Sequence, residues 1–143
     1  MSDCKDQVTI SEFIRLIDMN SIDLGVLQRF FGEVCDNETE ILAEIASDCI
    51  QETDSLAKQI HNAYAVRDWE LFNRSAHSMK STSRSLGGVE LSKHAETLEH
   101  LSLFKTPQFD PKMLTEPVSM LNPLVRSFID DLRNEVAKLG ASI

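Results

Sequence analysis

From Glu38 to about Val66 the apolar residues Ile41, Leu42, Ile45, Cys49, Leu56, Ile60 and Ala63 keep helical phase, and no glycine or proline intervenes. Such a recurrence gathers them on one side of a cylinder and predicts a single long α-helix. Arg67-Asp68 ends it, and the short carboxylate of Asp68 suits it to cap the next helix. That second helix carries an inward stripe of Phe72, Ala76, Met79, Ser83 and Leu86, spaced four and three apart, and Gly87-Gly88 is its stop signal. After so short a turn, Val89 to Leu103 resumes the pattern with Leu91, Ala95, Leu98 and Leu101 or Ser102 on one face. Thr106 to Asp110 reads as a loop, with Asp110 and Pro111 at the N-cap and first position of a last helical region that runs to about Leu139. Pro117 and Pro123 lack an amide donor and are expected to kink or interrupt it, which leaves Leu124 to Leu139 as its dependable part and Gly140 as its end.

Upstream, Thr9 or Ser11 can cap a short helix bearing Ile10, Phe13, Ile14 and Ile17. The stretch from Met19 to Asp23 breaks it with the capping residues Asn20, Ser21 and Asp23, and a second short helix from about Leu24 to Val34 aligns Leu27, Phe30, Phe31 and Val34. Alternating strand patterns and Asn-Gly or Asp-Gly hairpin turns are absent from the sequence. The fold class is therefore all-α. Tight turns make successive helices antiparallel neighbours, which predicts an antiparallel four-helix bundle over residues 38–139, two short helices within 1–37, and one domain across 1–143.

The chain of 143 residues is long enough to bury a single core without metal or disulfide support. A formal charge of −9 disfavours nucleic acid and anionic membrane surfaces, both of which select Lys and Arg. Cys4, Cys35 and Cys49 are odd in number and lack paired spacing, so free thiols in a reducing compartment are expected. With no secretory pattern at Met1 to Gln7 and no apolar run of bilayer length, the expectation is a cytoplasmic protein, here taken as a monomer.

Chemistry concentrates on the outward positions of the second helix: Asn73, Arg74, His77, Lys80, Ser81 and Arg84. Arg74 and Lys80 stand three residues either side of His77, and Ser81 four beyond it, so all three are its neighbours on the helix surface. An imidazole with an ordinary pKa of about 6.5 is largely uncharged at neutral pH and is a competent nucleophile. A phosphoryl group on it would be neutralised in part by Lys80 and could accept a hydrogen bond from Ser81. Ser75, Ser78, Ser81, Thr82 and Ser85 are read as a low ridge that lets a flat partner approach. Spacing alone does not separate this reading from a solvated surface histidine.

Other candidates are weaker. His61, His94 and His100 show no i, i+4 pairing for a metal, and no phosphate-binding glycine loop or nucleophile elbow occurs, so no metal and no cofactor is expected on the chain. Glu38, Glu40 and Glu44, and likewise Glu96 and Glu99, read as ordinary solvated faces. Trp69 and Phe72 read as a core anchor.

The run Ala76-His77-Ser78-Met79-Lys80-Ser81-Thr82-Ser83-Arg84-Ser85-Leu86-Gly87 resembles the histidine phosphotransfer (HPt) family signature AHxLKGxSxxLG. The resemblance extends from Ile22–Leu27 through Ile50–Leu56 and Arg67-Asp68 to Leu98-Glu99. It implies that His77 is phosphorylated, that Lys80 faces the phosphate, and that Gly87 lets the next helix pack closely. Arg74, Ser81, Arg84 and Gly87 are taken as phosphate environment or partner docking. The implied function is relay of a phosphoryl group between receiver-domain aspartates, with the receiver domains of a hybrid sensor kinase and of a response regulator as partners. The implied Mg2+ sits on the receiver, and the chain has no ATP-dependent kinase activity of its own. Two positions depart from the signature: Met79 replaces leucine at similar volume, and Ser81 replaces glycine beside the active face. The alternative is a non-catalytic bundle that binds or scaffolds receivers, for which Ser81 is the only support.

Overall fold

In the computed structural model residues 38–138 are described, with side chains from residue 43 onward. The two short helices expected within 1–37, and the helix end at Leu139 and Gly140, lie outside the described residues. The elements are α1 (Glu38–Val66), α2 (Trp69–Ser85), α3 (Val89–Leu101), a 3₁₀ turn (Pro111–Leu114), α4 (Thr115–Ser119) and α5 (Leu121–Lys138). No strand occurs among the described residues, and none of their helices is long and apolar enough to cross a membrane.

Helices α1, α2, α3 and α5 make the four-helix bundle. α2 packs against both α1 and α3, and α5 closes the ring against the same two helices. The periodic positions account for the core. Phe72, Ala76, Met79 and Ser83 on α2 and Leu86 at its C-cap are all buried, as are Ile60 on α1, Leu91 and Leu98 on α3, and Phe128 and Leu132 on α5. Ser83 is accommodated because its hydroxyl donates to the Met79 carbonyl one turn back, at 2.8 Å. Cys49 is buried at the α1–α2 seam with its thiol toward the Thr82 carbonyl at 3.7 Å, and burial pushes that thiol up to about 11. It is a core residue and not a reactive one.

Each turn has a local cause. Arg67 takes a positive φ of 66°, and Asp68 N–H returns to the Ala63 carbonyl at 2.9 Å while its carboxylate accepts from Leu71 N–H at 3.1 Å. α1 is thereby closed and α2 capped within two residues. At the other end of α2, Gly88 N–H reaches the Ser83 carbonyl at 2.8 Å and Gly87 N–H the Arg84 carbonyl at 3.0 Å, the paired bonds of a Schellman stop. Gly87 supplies the left-handed φ of 82°. Gly88 is a site of close approach to α5, where a Cβ would stand 2.6 Å from Phe128 Cε1.

Three expected boundaries move. α3 ends at Leu101, two residues early, because Ser102 turns out of helical geometry and is fully buried as its C-cap. Asp110 and Pro111 do start a helical segment, with the Asp110 carboxylate accepting from Lys112 N–H, but it is a 3₁₀ turn. Pro117 and Pro123 interrupt neither helix, since each is the third residue of its own element, where no amide donor is required. The break falls between them at Met120, so α5 begins three residues before Leu124. Trp69 and Phe72 do anchor one end of the core, in an aromatic cluster with Tyr64 and Phe109 whose Trp69–Phe109 centroids are 5.3 Å apart.

Candidate functional site

His77 sits in the middle of α2, on the face opposite Ala76 and Met79, with 60% of its side chain exposed. Its Nδ1 lies 2.7 Å from Glu99 Oε2, and Lys80 Nζ lies 2.9 Å from Glu99 Oε1. One carboxylate from α3 thus bridges the imidazole and the ammonium of α2. Burial alone would push the Glu99 carboxyl up, but hydrogen bonds from Lys80 and His77 and their charge outweigh it and hold the group below the ordinary glutamate value.

The chemistry of that bridge assigns the imidazole tautomer. An ionised carboxylate only accepts, so in this contact the ring proton must be on Nδ1. The neutral ring then carries its lone pair on Nε2, to which no described residue bonds. An exposed nitrogen lone pair, a cation one helical turn away and an acceptor behind the ring are the parts that nucleophilic attack on an electrophilic phosphorus requires.

The predicted residues separate into groups. His77 and Lys80 meet at Glu99. Arg74 and Ser81 are exposed on the helix surface within one turn of His77. Arg84 is exposed two turns on, about 10 Å along the axis at 1.5 Å per residue, and does not share the His77–Glu99 contact. Gly87 is buried at the end of α2, and its part is the turn. The ridge of small residues is narrower than expected: Ser75 is buried and donates to Gln59 Oε1 on α1 at 3.0 Å, while Ser78 and Thr82 are half-buried and Ser81 and Ser85 exposed.

Glu99 is the residue that sequence reasoning placed wrongly, on a solvated face. The available signal is the recurrence Ser92, Ala95, Glu99, Ser102, at intervals of three, four and three, which puts a carboxylate in the stripe of small residues that α3 turns toward α2. Two of the other histidines tie elements together: His61 Nε2 pairs with Asn122 Oδ1 at 3.0 Å and His94 Nε2 with the Pro117 carbonyl at 2.7 Å. No group of three or more potential metal ligands occurs among the described residues.

The described residues thus form a four-helix bundle that displays a histidine from the middle of one helix, backed by a carboxylate from the next. The family model of the Hpt domain matches residues 44–142, and the chain belongs to that family. No curated protein and no solved structure matches the chain.

Proposed function

We propose that this Hpt domain carries a phosphoryl group on His77 Nε2 between the aspartates of two receiver domains, one from a hybrid sensor kinase and one from a response regulator. The observation that carries the reading is the 2.7 Å contact of His77 Nδ1 with Glu99, which keeps the ring proton off Nε2. As the Nε2 lone pair forms the N–P bond, the acyl P–O bond of the donor breaks and its aspartate leaves as a carboxylate. The imidazole becomes cationic with its proton still on Nδ1, and the Glu99 carboxylate stabilises that charge as it develops. Lys80, at 2.9 Å from the same carboxylate, supplies the nearby positive charge for the phosphoryl oxygens. Transfer to the second receiver is the reverse displacement, so one geometry serves both directions.

In this reading the chain is a cytoplasmic, monomeric carrier without a nucleotide site, and the divalent ion that assists the displacement belongs to the receiver. Arg74 and Ser81 flank the phosphoryl position and meet the incoming domain. The side chain of Ser81 adds a hydroxyl where the family signature has glycine, without a bulky group to hold a partner away.

Incubation with a phosphorylated receiver is expected to place acid-labile label on the protein. His77→Gln should abolish the label while circular dichroism stays unchanged. Label on that variant would assign the chemistry elsewhere. Receiver binding without label on the unsubstituted protein would favour the scaffold.

A further inference from the structure

The last turn of α3, from which Glu99 projects, is fastened to α2 by one side chain outside the reacting group. Asn73 Nδ2 donates to the Glu99 carbonyl at 2.8 Å and to Ser102 Oγ at 3.0 Å, and Ser102 Oγ in turn donates to the same carbonyl at 3.0 Å. Asn73 is half-buried and stands one helical turn before His77 on α2. Both hydrogens of its amide are therefore used, and both end on the C-terminus of α3. The Glu99 carbonyl also takes the Ser102 N–H at 3.3 Å, so within α3 it is held by the C-cap residue alone, and Asn73 adds the donor that comes from α2. On the other side of His77, Ser92 Oγ donates to the Lys80 carbonyl at 3.2 Å and ties the first turn of α3 to α2. The two ties bracket His77 and set the register of α3 against it.

We infer that Asn73 is a positioning residue for phosphoryl transfer: it fixes the main chain of Glu99 so that the carboxylate reaches His77 Nδ1 and holds the proton there. The inference rests on His77 being the acceptor as proposed above. Asn73 touches neither the ring nor the phosphoryl group, and its effect passes through Glu99. Aspartate at position 73 has the same shape but presents oxygen to the Glu99 carbonyl, so it inverts the tie without opening a cavity.

The test compares Asn73→Asp and Asn73→Ala, each alone and combined with Glu99→Ala, in the full chain. Two readouts apply: the ¹⁵N shifts of the His77 ring nitrogens, which report the tautomer with no phosphate present, and the rate at which a phosphorylated receiver labels the protein. Both Asn73 variants should lower the Nδ1–H share and slow labelling roughly fivefold, and should add no further loss in the Glu99→Ala background. An unchanged tautomer in a folded variant, or the same fivefold loss without Glu99, would overturn the inference. Tautomer control with no label on the unsubstituted protein would instead count against His77 as the acceptor and leave the Asn73–Glu99 coupling standing.

Discussion

Replacing Glu99 by glutamine keeps the shape of the bridge and removes its charge. In the native site the carboxylate accepts from His77 Nδ1 at 2.7 Å and from Lys80 Nζ at 2.9 Å. A glutamine has one oxygen for these two donors. If that oxygen goes to Lys80, its NH₂ faces Nδ1 and favours the tautomer with the proton on Nε2, the form that cannot attack. If it goes to His77, the correct tautomer is kept by a neutral bond. A charge-assisted hydrogen bond contributes about 1.5–3 kcal/mol and a neutral one about 0.5–1.5. His77 is 60% exposed, so water competes for both, and the lower end of the difference, about 1 kcal/mol, applies. Since 1.4 kcal/mol is about tenfold, phosphorylation of Glu99→Gln by a receiver should be roughly fivefold slower. The assay is single-turnover labelling from a phosphorylated receiver in excess, with ring ¹⁵N shifts measured on the same sample. A labelling rate and a tautomer population equal to those of the unsubstituted protein would refute the role given to Glu99.

Two further outcomes follow from the geometry. Gly88→Ala would place a methyl 2.6 and 2.7 Å from ring carbons of Phe128 and 3.0 Å from the Ser83 carbonyl, and denaturant titration should show a loss of about 1–3 kcal/mol from overpacking. The second concerns acid. Glu99 titrates below the ordinary glutamate value in the fold, so its contribution to stability is fully present above that value and is lost as pH falls through the lowered one. Buried Glu135 is shifted the opposite way, upward by burial, so its contribution is present at low pH and lost as pH rises. Subtracting the stability of Glu99→Gln from that of the unsubstituted protein isolates the first term, and the difference should shrink between neutral pH and about pH 3. A difference that stayed constant or grew would contradict the assigned contacts.

Hydrophobic phase located three of the four long helices, because each buries one stripe and the stripe is written at three- and four-residue intervals, while the last was read from its capping residues, its prolines and Gly140. Asp68 and the Gly87-Gly88 pair marked turns for reasons that are also local: a carboxylate that can cap and a residue that tolerates positive φ. What failed was relational. That Gly88 meets Phe128 depends on where α5 passes, some forty residues later. Pro123 looked like a break only while the start of α5 was unknown; as the third residue of the helix it costs no hydrogen bond. The same holds at the site. His77 and Lys80 were singled out by the signature run they share on one helix, whereas Glu99 and Asn73 gain their meaning from the register of α3 against α2, which Ser92 and Ser102 help to set.

The bridge from Glu99 also bears on how portable the chemistry is. The signature run Ala76 to Gly87 contains the imidazole and the ammonium, but the group that selects the ring tautomer arrives from the next helix, 22 residues after His77. The smallest unit that holds the complete His77–Glu99–Lys80 bridge is therefore the hairpin from Trp69 to Ser102, with its turn and its stapled end, and not the motif. A graft of the twelve-residue run onto a foreign helix would transplant a histidine whose proton is free to occupy either nitrogen. The unfolded chain is in the same position, so the preference for a proton on Nδ1 is acquired only when α2 and α3 dock.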